Sequence, residues 1–453
     1  MEALRKWGKG ILIGLATPLF TRNTQLTRLQ SQELISCMIT YFINTKKMPF
    51  RWKKRLVHIF LKKTCWKQFR FQAEPLRQAL TPLRVREDYR EPMGRWFSID
   101  SEEAFAEAPK VQNTDQITYY ASGREPELAV AELLGSGNKT VLVPYFTCNT
   151  VFQPFLENGW KLVHYRVDKA LHMDTQQVEA LYQAHRPSLA IFMEYAGMDL
   201  TAGELQTIGK LKQQGCVTMV DRTQNIYSTA KAREVDYYYG SLRKWYCFPD
   251  GAYLEKNGDL PLPPPPPEDA YNDVYATLRA TAMFANSQLR KTKVWQYQGL
   301  YDACAELAAM YVCTQRVRLR NMTEYSKAVY LWEKTHDQEY ARQRLENFQY
   351  IYRRISGFTH VRPVCPDLER YTSAPMCFHV YARNRSRLAG FLRGRNIETQ
   401  LLWTKSRLFG TLDDQTEYIF RHILSLPCDQ RYTREDMKTL CDALEAYEQR
   451  ESA

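Results

Sequence analysis

Between residues 140 and 221 the chain alternates short apolar runs with longer segments of helical period. The runs are TVLVP at 140–144, KLVHYR at 161–166, SLAIFME at 188–194 and CVTMVD at 216–221. Helical patterns fall between them at 149–158, 174–185 and 202–214, with another at 126–135 ahead of the first run. Strands alternating with helices of about ten residues mark βαβ units. Runs that are apolar at successive positions suit strands covered on both faces. The pattern therefore predicts an α/β major domain with a mostly parallel sheet.

The flanks read differently. Leu26, Leu29, Ile35, Met38, Ile39 and Phe42 recur at helical spacing, and WKKRLVHIFLKKTCWKQFR at 52–70 sets Trp52, Leu56, Ile59 and Phe60 near one side of a basic helix. Residues 1–95 are thus expected to form a helical N-terminal extension, and 96–260 the major domain. The apolar stretches at 11–20 and 34–43 are each ten residues long, too short to span a bilayer. LPLPPPPPEDA at 260–270 cannot be helix or interior strand, so 261–270 is expected to be a stiff, extended connector. Beyond it, 271–453 should hold a helical segment and a smaller C-terminal α+β domain. In that domain a strand is expected at 376–382, a helix at 385–394, a strand at 397–403, and a last helix opened by a Thr433/Asp436 capping box.

Charge sharpens this division. The 453 residues carry 62 Lys and Arg against 50 Asp and Glu, a net charge of +12. The first 90 residues hold 19 basic and 5 acidic groups; the remaining 363 hold 43 and 45. The body is near neutral and the excess belongs to the leader. A basic surface spread over the fold, as a nucleic-acid binder needs, is not present, so no nucleic-acid partner is expected. The leader suits either a solvated helical appendage or a surface for peripheral contact with an anionic membrane or acidic partner. The eleven cysteines include no CxxC and no Cys/His spacing of a zinc site. Free thiols in a cytoplasmic setting and no bound metal are expected.

The sequence contains no HExxH and no GxSxG. GSGNKT at 135–140 lacks the first glycine of a P-loop and runs from helix to strand, so it reads as a helix-ending turn with Gly135 or Gly137 at positive φ. Four other segments stand out. Ser122-Gly123-Arg124 precedes a helix, where free N–H groups at the positive end suit a phosphate. Asp221 ends a strand on the ligand side of such a sheet, with Gln224 three residues on. Ser241-Leu242-Arg243-Lys244-Trp245 follows the aromatic strand VDYYYG, and a lysine in aromatic surroundings tends to a lower pKa and a nucleophilic amine. Phe248-Pro249-Asp250-Gly251 is a tight turn into AYLE. Each alone has a plain structural account: an N-cap, a strand-end aspartate, a solvated lysine, a turn. Together, in chain order, they describe a phosphate cradle, a partner for a pyridinium nitrogen and a Schiff-base lysine, the parts of a pyridoxal 5'-phosphate site.

The chain from about 118 to 448 resembles the DegT/StrS family of PLP-dependent aminotransferases. The resemblance rests on YASGREPELAVAEL, VLVPYFTCNTVFQPFLENGW, VDRTQ, GSLRKWYCFPDGA and LSLPCDQRYTREDM, and is nearest to a divergent branch carrying SLRKW. It implies the aspartate-aminotransferase-like, fold type I architecture and Lys244 as the catalytic lysine. It also implies Ser122, Gly123, Arg124 and Ser241 at the cofactor phosphate, Asp221 at the ring nitrogen and Gln224 near the ring hydroxyl. An amino acid, glutamate or glutamine, is the implied donor, a nucleotide-linked keto-sugar for polysaccharide or a glycosylated metabolite the acceptor, and a homodimer the assembly. Two departures stand out. Thr147 is followed by Cys148 where the family has an aromatic that stacks on the cofactor, leaving Tyr145 or Phe146 to replace it. Arg124 stands where the family has Thr, and could pair with the phosphate or a substrate carboxylate. PLP chemistry of another type, elimination or condensation, and a non-catalytic protein assembling at a membrane are the alternatives.

Overall fold

The computed structural model describes residues 86–99, 108–135 and 137–452. The helices expected in the basic extension lie outside the described residues.

Seven strands form the main sheet: β1 (Ile117–Tyr120), β2 (Thr140–Pro144), β3 (Lys161–Tyr165), β4 (Leu189–Met193), β5 (Val217–Asp221), β6 (Tyr237–Gly240) and β7 (Ala252–Lys256). Their order is β1-β7-β6-β5-β4-β2-β3. β2 to β6 run parallel, while β7 is antiparallel to both β6 and β1. The crossovers are α1 (Arg124–Leu133), α2 (Asn149–Glu157), α3 (Thr175–His185) and α4 (Ala202–Gln213). Strand periodicity sorts the apolar side chains into two layers. Val141, Val143, Ile191, Met219 and Tyr239 pack with Val130, Phe152 and Phe155 from α1 and α2. Leu142, Ala190, Phe192, Val220 and Tyr238 pack with Val178, Tyr182, Ile208 and Leu211 from α3 and α4. That two-sided cover explains why the strands read as nearly continuous apolar runs.

Gly135 closes α1 at φ +50, as the helix-ending reading of GSGNKT required. β1 was not expected. ITYY becomes an edge strand because β7 turns back antiparallel and offers it a partner, Tyr119 facing Tyr253.

The proline connector lies along the major domain. Leu260 and Leu262 pack on its core, Tyr237 Oη–H donates to the Pro261 carbonyl at 2.6 Å, and Asn321 Nδ2 donates to the Pro267 carbonyl at 2.6 Å. Pro263 and Pro266 are buried while Pro264, Pro265 and Pro267 are exposed, the three-residue period of an extended polyproline helix.

Next come α5 (Asp273–Thr292), α6 (Gln296–Thr314), α7 (Glu324–Lys334) and α8 (Asp337–Ile355). The chain ends in an antiparallel sheet, order β10-β9-β8, of β8 (Val361–Pro363), β9 (Phe378–Ala382) and β10 (Ile423–Leu426). It carries α9 (Arg385–Arg393), α10 (Asp414–His422) and α11 (Arg434–Ser452). The strand expected at 397–403 does not form; Ile397 and Gln400 make isolated bridges to Met93 and Ser425. ILSL, buried throughout, takes the place beside β9, whereas Leu401 is 49% exposed. The Thr433/Asp436 capping box is present, with bonds of 2.8 and 3.3 Å in the two directions. Among the described residues no helix is long and apolar enough to cross a membrane.

Candidate active site

The site is built where β5 and β6 end. Asp221 is buried at the last position of β5, and its Oδ1 accepts the Thr223 N–H at 2.7 Å. Thr223 then braces the next strand's exit. Its Oγ1 accepts the Ser241 N–H at 3.1 Å, and its carbonyl accepts Trp245 Nε1–H at 2.8 Å. Ser241 leads into a single 3-10 turn, Leu242–Lys244. Burial pulls the Lys244 ammonium down from its ordinary value; Cys148 and Asp221 oppose that and Arg243 adds to it. Burial pushes the Asp221 carboxyl up, while its bonds with Thr223 and the charge of Lys244 hold it back.

The turn before α1 meets this arrangement from the other side. A Cβ on Gly123 would lie 3.7 Å from the Ser241 Cβ, so the two serine-bearing turns abut. Gly251 ties them together. Its N–H donates to the Ala121 carbonyl at 2.8 Å, and its own carbonyl accepts from Leu242 and Arg243 at 3.0 and 3.3 Å. Its φ is +141, and a Cβ there would come 2.8 Å from Met322 Cε, so both backbone and space demand glycine. Ser122 Oγ and Ser241 Oγ are buried without partners. Two carboxyls in the first turn of α1 could have neutralised its positive end. Glu125 Oε2 accepts the Ser122 N–H, and burial pushes Glu125 up to about 7 and Glu127 well above its ordinary value, which weakens the negative charge set against that end.

Arg124 Nη1 is held by Gln153 Oε1 at 2.8 Å and the Val312 carbonyl at 3.0 Å. The side chain clamps α1 to α2 and α6, and its backbone N–H is what it leaves at the turn.

A cavity of ≈ 520 Å³ opens over Lys244, with Cys148, Gln224, Arg243 and Arg279 in its wall. Gln224 is 1% exposed. Its Oε1 accepts the Ala196 N–H at 2.9 Å and faces His379 Nε2 at 3.2 Å, while its Nε2 is buried without a partner. Neither aromatic proposed to replace the family's stacking residue reaches this wall. Phe146 packs in the core against Trp403, Phe420 and Tyr195, and Tyr145 stacks on His164. Cys148 is the residue of that segment that lines the cavity.

Sequence reasoning missed much of the wall. Arg279 on α5 is 7% exposed, and its Nε, like that of Arg243, is buried without a partner. Both guanidinium groups flank Tyr275, at 5.5 and 5.9 Å from its ring centre. Burial brings Arg279 down to about 10, with the Arg243 charge pushing the same way. Gly94, Arg95, Trp96 and Phe97, ahead of the whole sheet domain, also line the cavity. Arg95 is pinned by Tyr89, Asn286 and Gln298, and Trp96 lies 4.1 Å from the Arg279 guanidinium carbon. No local pattern marks these residues, because they meet Lys244 only through the tertiary fold.

No protein-family model and no curated protein matches the chain in sequence. Solved structures match it in shape. A DegT/DnrJ/EryC1/StrS aminotransferase from Brucella abortus superposes with a TM-score of 0.53 at 16% identity, over 73% of this chain and 86% of that one. PseC from Helicobacter pylori, an aminotransferase involved in the biosynthesis of pseudoaminic acid, gives 0.56 at 12% identity, over 80% of this chain and 100% of that one. The PLP form of a putative sugar aminotransferase from Streptococcus pneumoniae gives 0.53 at 12%, over 78% and 93%. At these identities the likeness is one of fold, and the fold is that of the DegT/StrS-type aminotransferases which the sequence resembles.

Proposed function

We propose that the chain is a pyridoxal 5'-phosphate-dependent aminotransferase acting on a sugar. It would take an amino group from glutamate or glutamine and deliver it to the carbonyl of a nucleotide-linked keto-sugar. The observation that carries this reading is one constellation in the fold. A half-buried lysine with a lowered pKa feels the charge of a buried strand-end aspartate, and Ser122, Ser241 and Gln224 each carry a buried polar atom without a partner. Unsatisfied buried polar atoms are costly, and a clustered set of them is accounted for by a ligand that satisfies them together.

The residues fit the cofactor part by part. Ser122, Ser241 and the free N–H groups of Gly123 and Arg124 would hold its phosphate at the positive end of α1. Asp221 would hold the ring nitrogen, Gln224 Nε2 would donate to the ring hydroxyl, and Lys244 would tether the aldehyde. When bound, the cofactor supplies an electron sink that makes the Cα–H of an amino acid acidic. The lowered pKa of Lys244 leaves its amine able to accept that proton and return it to the neighbouring carbon. Arg243 and Arg279 are the charges available to an anionic acceptor. A homodimer, and a reducing compartment in keeping with the free thiols of Cys148, Cys216, Cys365, Cys377, Cys428 and Cys441, complete the proposal.

The test is spectral. Full-length protein incubated with PLP should develop the visible band of a lysine-bound cofactor, and Lys244→Ala should not. Glutamate added without acceptor should convert that band to the pyridoxamine form. Absence of any band from the wild type rejects the cofactor reading. A band that no amino donor converts rejects transamination.

A further inference from the structure

Behind Gln224 lies a buried relay that the cofactor-site residues do not include. His379 sits on β9 of the C-terminal sheet, 2% exposed, with Nε2 at 3.2 Å from Gln224 Oε1 and Nδ1 at 2.9 Å from Ser425 Oγ. Ser425 is its register partner on β10 and is itself buried. Among the described residues no carboxylate bonds to this ring. Burial holds the imidazole down to about 4, so it is neutral near pH 7 and carries one N–H.

The bonds assign every proton in the chain. Ala196, held at φ 54 in the turn after β4, donates its N–H to Gln224 at 2.9 Å. The atom facing that N–H must be the amide oxygen, because an NH2 there would set donor against donor. Gln224 Oε1 can only accept, so His379 Nε2 carries the imidazole proton and donates. Nδ1 is then an acceptor and takes the Ser425 hydroxyl proton. Gln224 is one of the residues of the cavity wall, and its remaining end, Nε2, is a buried donor without a partner.

We propose that His379 and Ser425 are positioning residues that hold Gln224 with its NH2 turned into the cavity as a fixed hydrogen-bond donor. This rests on the cofactor reading above: the group it would address is the ring oxygen of PLP. A donor held at an anionic oxygen favours the charged form and shifts the proton equilibrium of the bound cofactor. The C-terminal sheet thereby tunes a site that the major domain builds.

The test uses the full chain loaded with PLP and reads the pH midpoint of the cofactor's visible band alongside the dissociation constant for PLP. Replacing His379 with Leu removes the donor to Gln224 Oε1, and the midpoint should rise by about one pH unit. His379→Gln restores an N–H donor and should return the midpoint toward the wild-type value. Ser425→Ala, which leaves the imidazole in place and deletes one hydroxyl, should shift it in the same direction by a smaller step; it also serves if the leucine variant does not fold. A midpoint unchanged in Ser425→Ala and in any folded His379→Leu protein overturns the relay while leaving the cofactor reading intact. A wild-type protein without the band overturns both.

Discussion

Arg344 on α8 lies over the indole of Trp245, its guanidinium carbon 4.4 Å from the ring centre, directly behind the turn that carries Lys244. The arginine is 1% exposed and donates to the carbonyls of Pro375, Met376 and Trp245 at 3.4, 3.1 and 3.5 Å. Gln430 also donates to the Trp245 carbonyl, at 3.0 Å. A planar cation thus joins the lysine turn to the C-terminal part of the chain through stacking and hydrogen bonds at once. Removing it takes this donor from the Pro375 and Met376 carbonyls, while the Trp245 carbonyl keeps Gln430. Arg344→Met should cost about 3 kcal/mol in urea unfolding and weaken PLP binding. Arg344→Lys, with no flat face to stack, should recover less than half of that loss.

Gly251 couples the two serine turns through its backbone. A Cβ there collides with Met322 and Phe248, at 2.8 and 3.0 Å, in a backbone region that L side chains avoid. Gly251→Ala should destabilise the fold by about 2 kcal/mol. It should also weaken binding of free inorganic phosphate and of PLP together, read by isothermal titration. Equal loss of stability with unchanged phosphate and PLP affinity would separate Gly251 from the cradle.

The arginines of the cavity predict a split between the two half-reactions. Arg279→Gln removes a buried charge whose Nε has no partner within the protein. The KM for an anionic sugar-nucleotide acceptor should rise about 10-fold, since a charge-assisted hydrogen bond contributes about 1.5–3 kcal/mol. The single-turnover rate with glutamate should change far less. Loss confined to the glutamate step would instead assign Arg279 to the donor carboxylate.

His164 gives a pH signature independent of function. It stacks on Tyr145 at 5.0 Å between centroids, and burial brings its imidazole down to about 4. Above pH 6.5 the folded and unfolded chains both hold it neutral. As pH falls from 6.5 toward 4, the unfolded chain binds the proton and the folded chain does not, so stability is lost through that window. His379, brought down to about 4 by burial, adds loss in the same window. Replacing His164 with Phe should remove on the order of 2 kcal/mol of the loss between pH 7 and 4, measured as urea midpoints across pH.

The elements that sequence reasoning located are those whose signal is local. The apolar runs at 140–144 and 216–221 became β2 and β5 within a residue, because both strands are buried at every position and their apolar runs cover nearly the whole element. Asp221 and Lys244 were singled out on equally local signals: Asp221 is the last residue of β5, and Lys244 lies in the turn that follows β6. β1 and β10 were missed, since ITYY and ILSL are four-residue segments whose strand character depends on β7 and β9 arriving beside them. The stacking substitute was misplaced because Tyr145, Phe146 and Cys148 are equivalent as sequence neighbours. The path of the chain after β2 decides which of them faces the cavity.

By itself the sequence determined the alternation of strands and helices, the positions of the aspartate and the lysine, and the glycines that their turns require. Those follow from periodicity and backbone sterics over a few residues. The tertiary structure decided what surrounds the lysine: Trp96 from before the sheet domain, Arg279 from α5, and His379 from a second sheet through Gln224. These residues are separated by up to hundreds of positions in the chain, and their contacts arise from the burial of whole layers against one another. No local pattern encodes that geometry, because the free energy that brings the layers together is shared over the entire core.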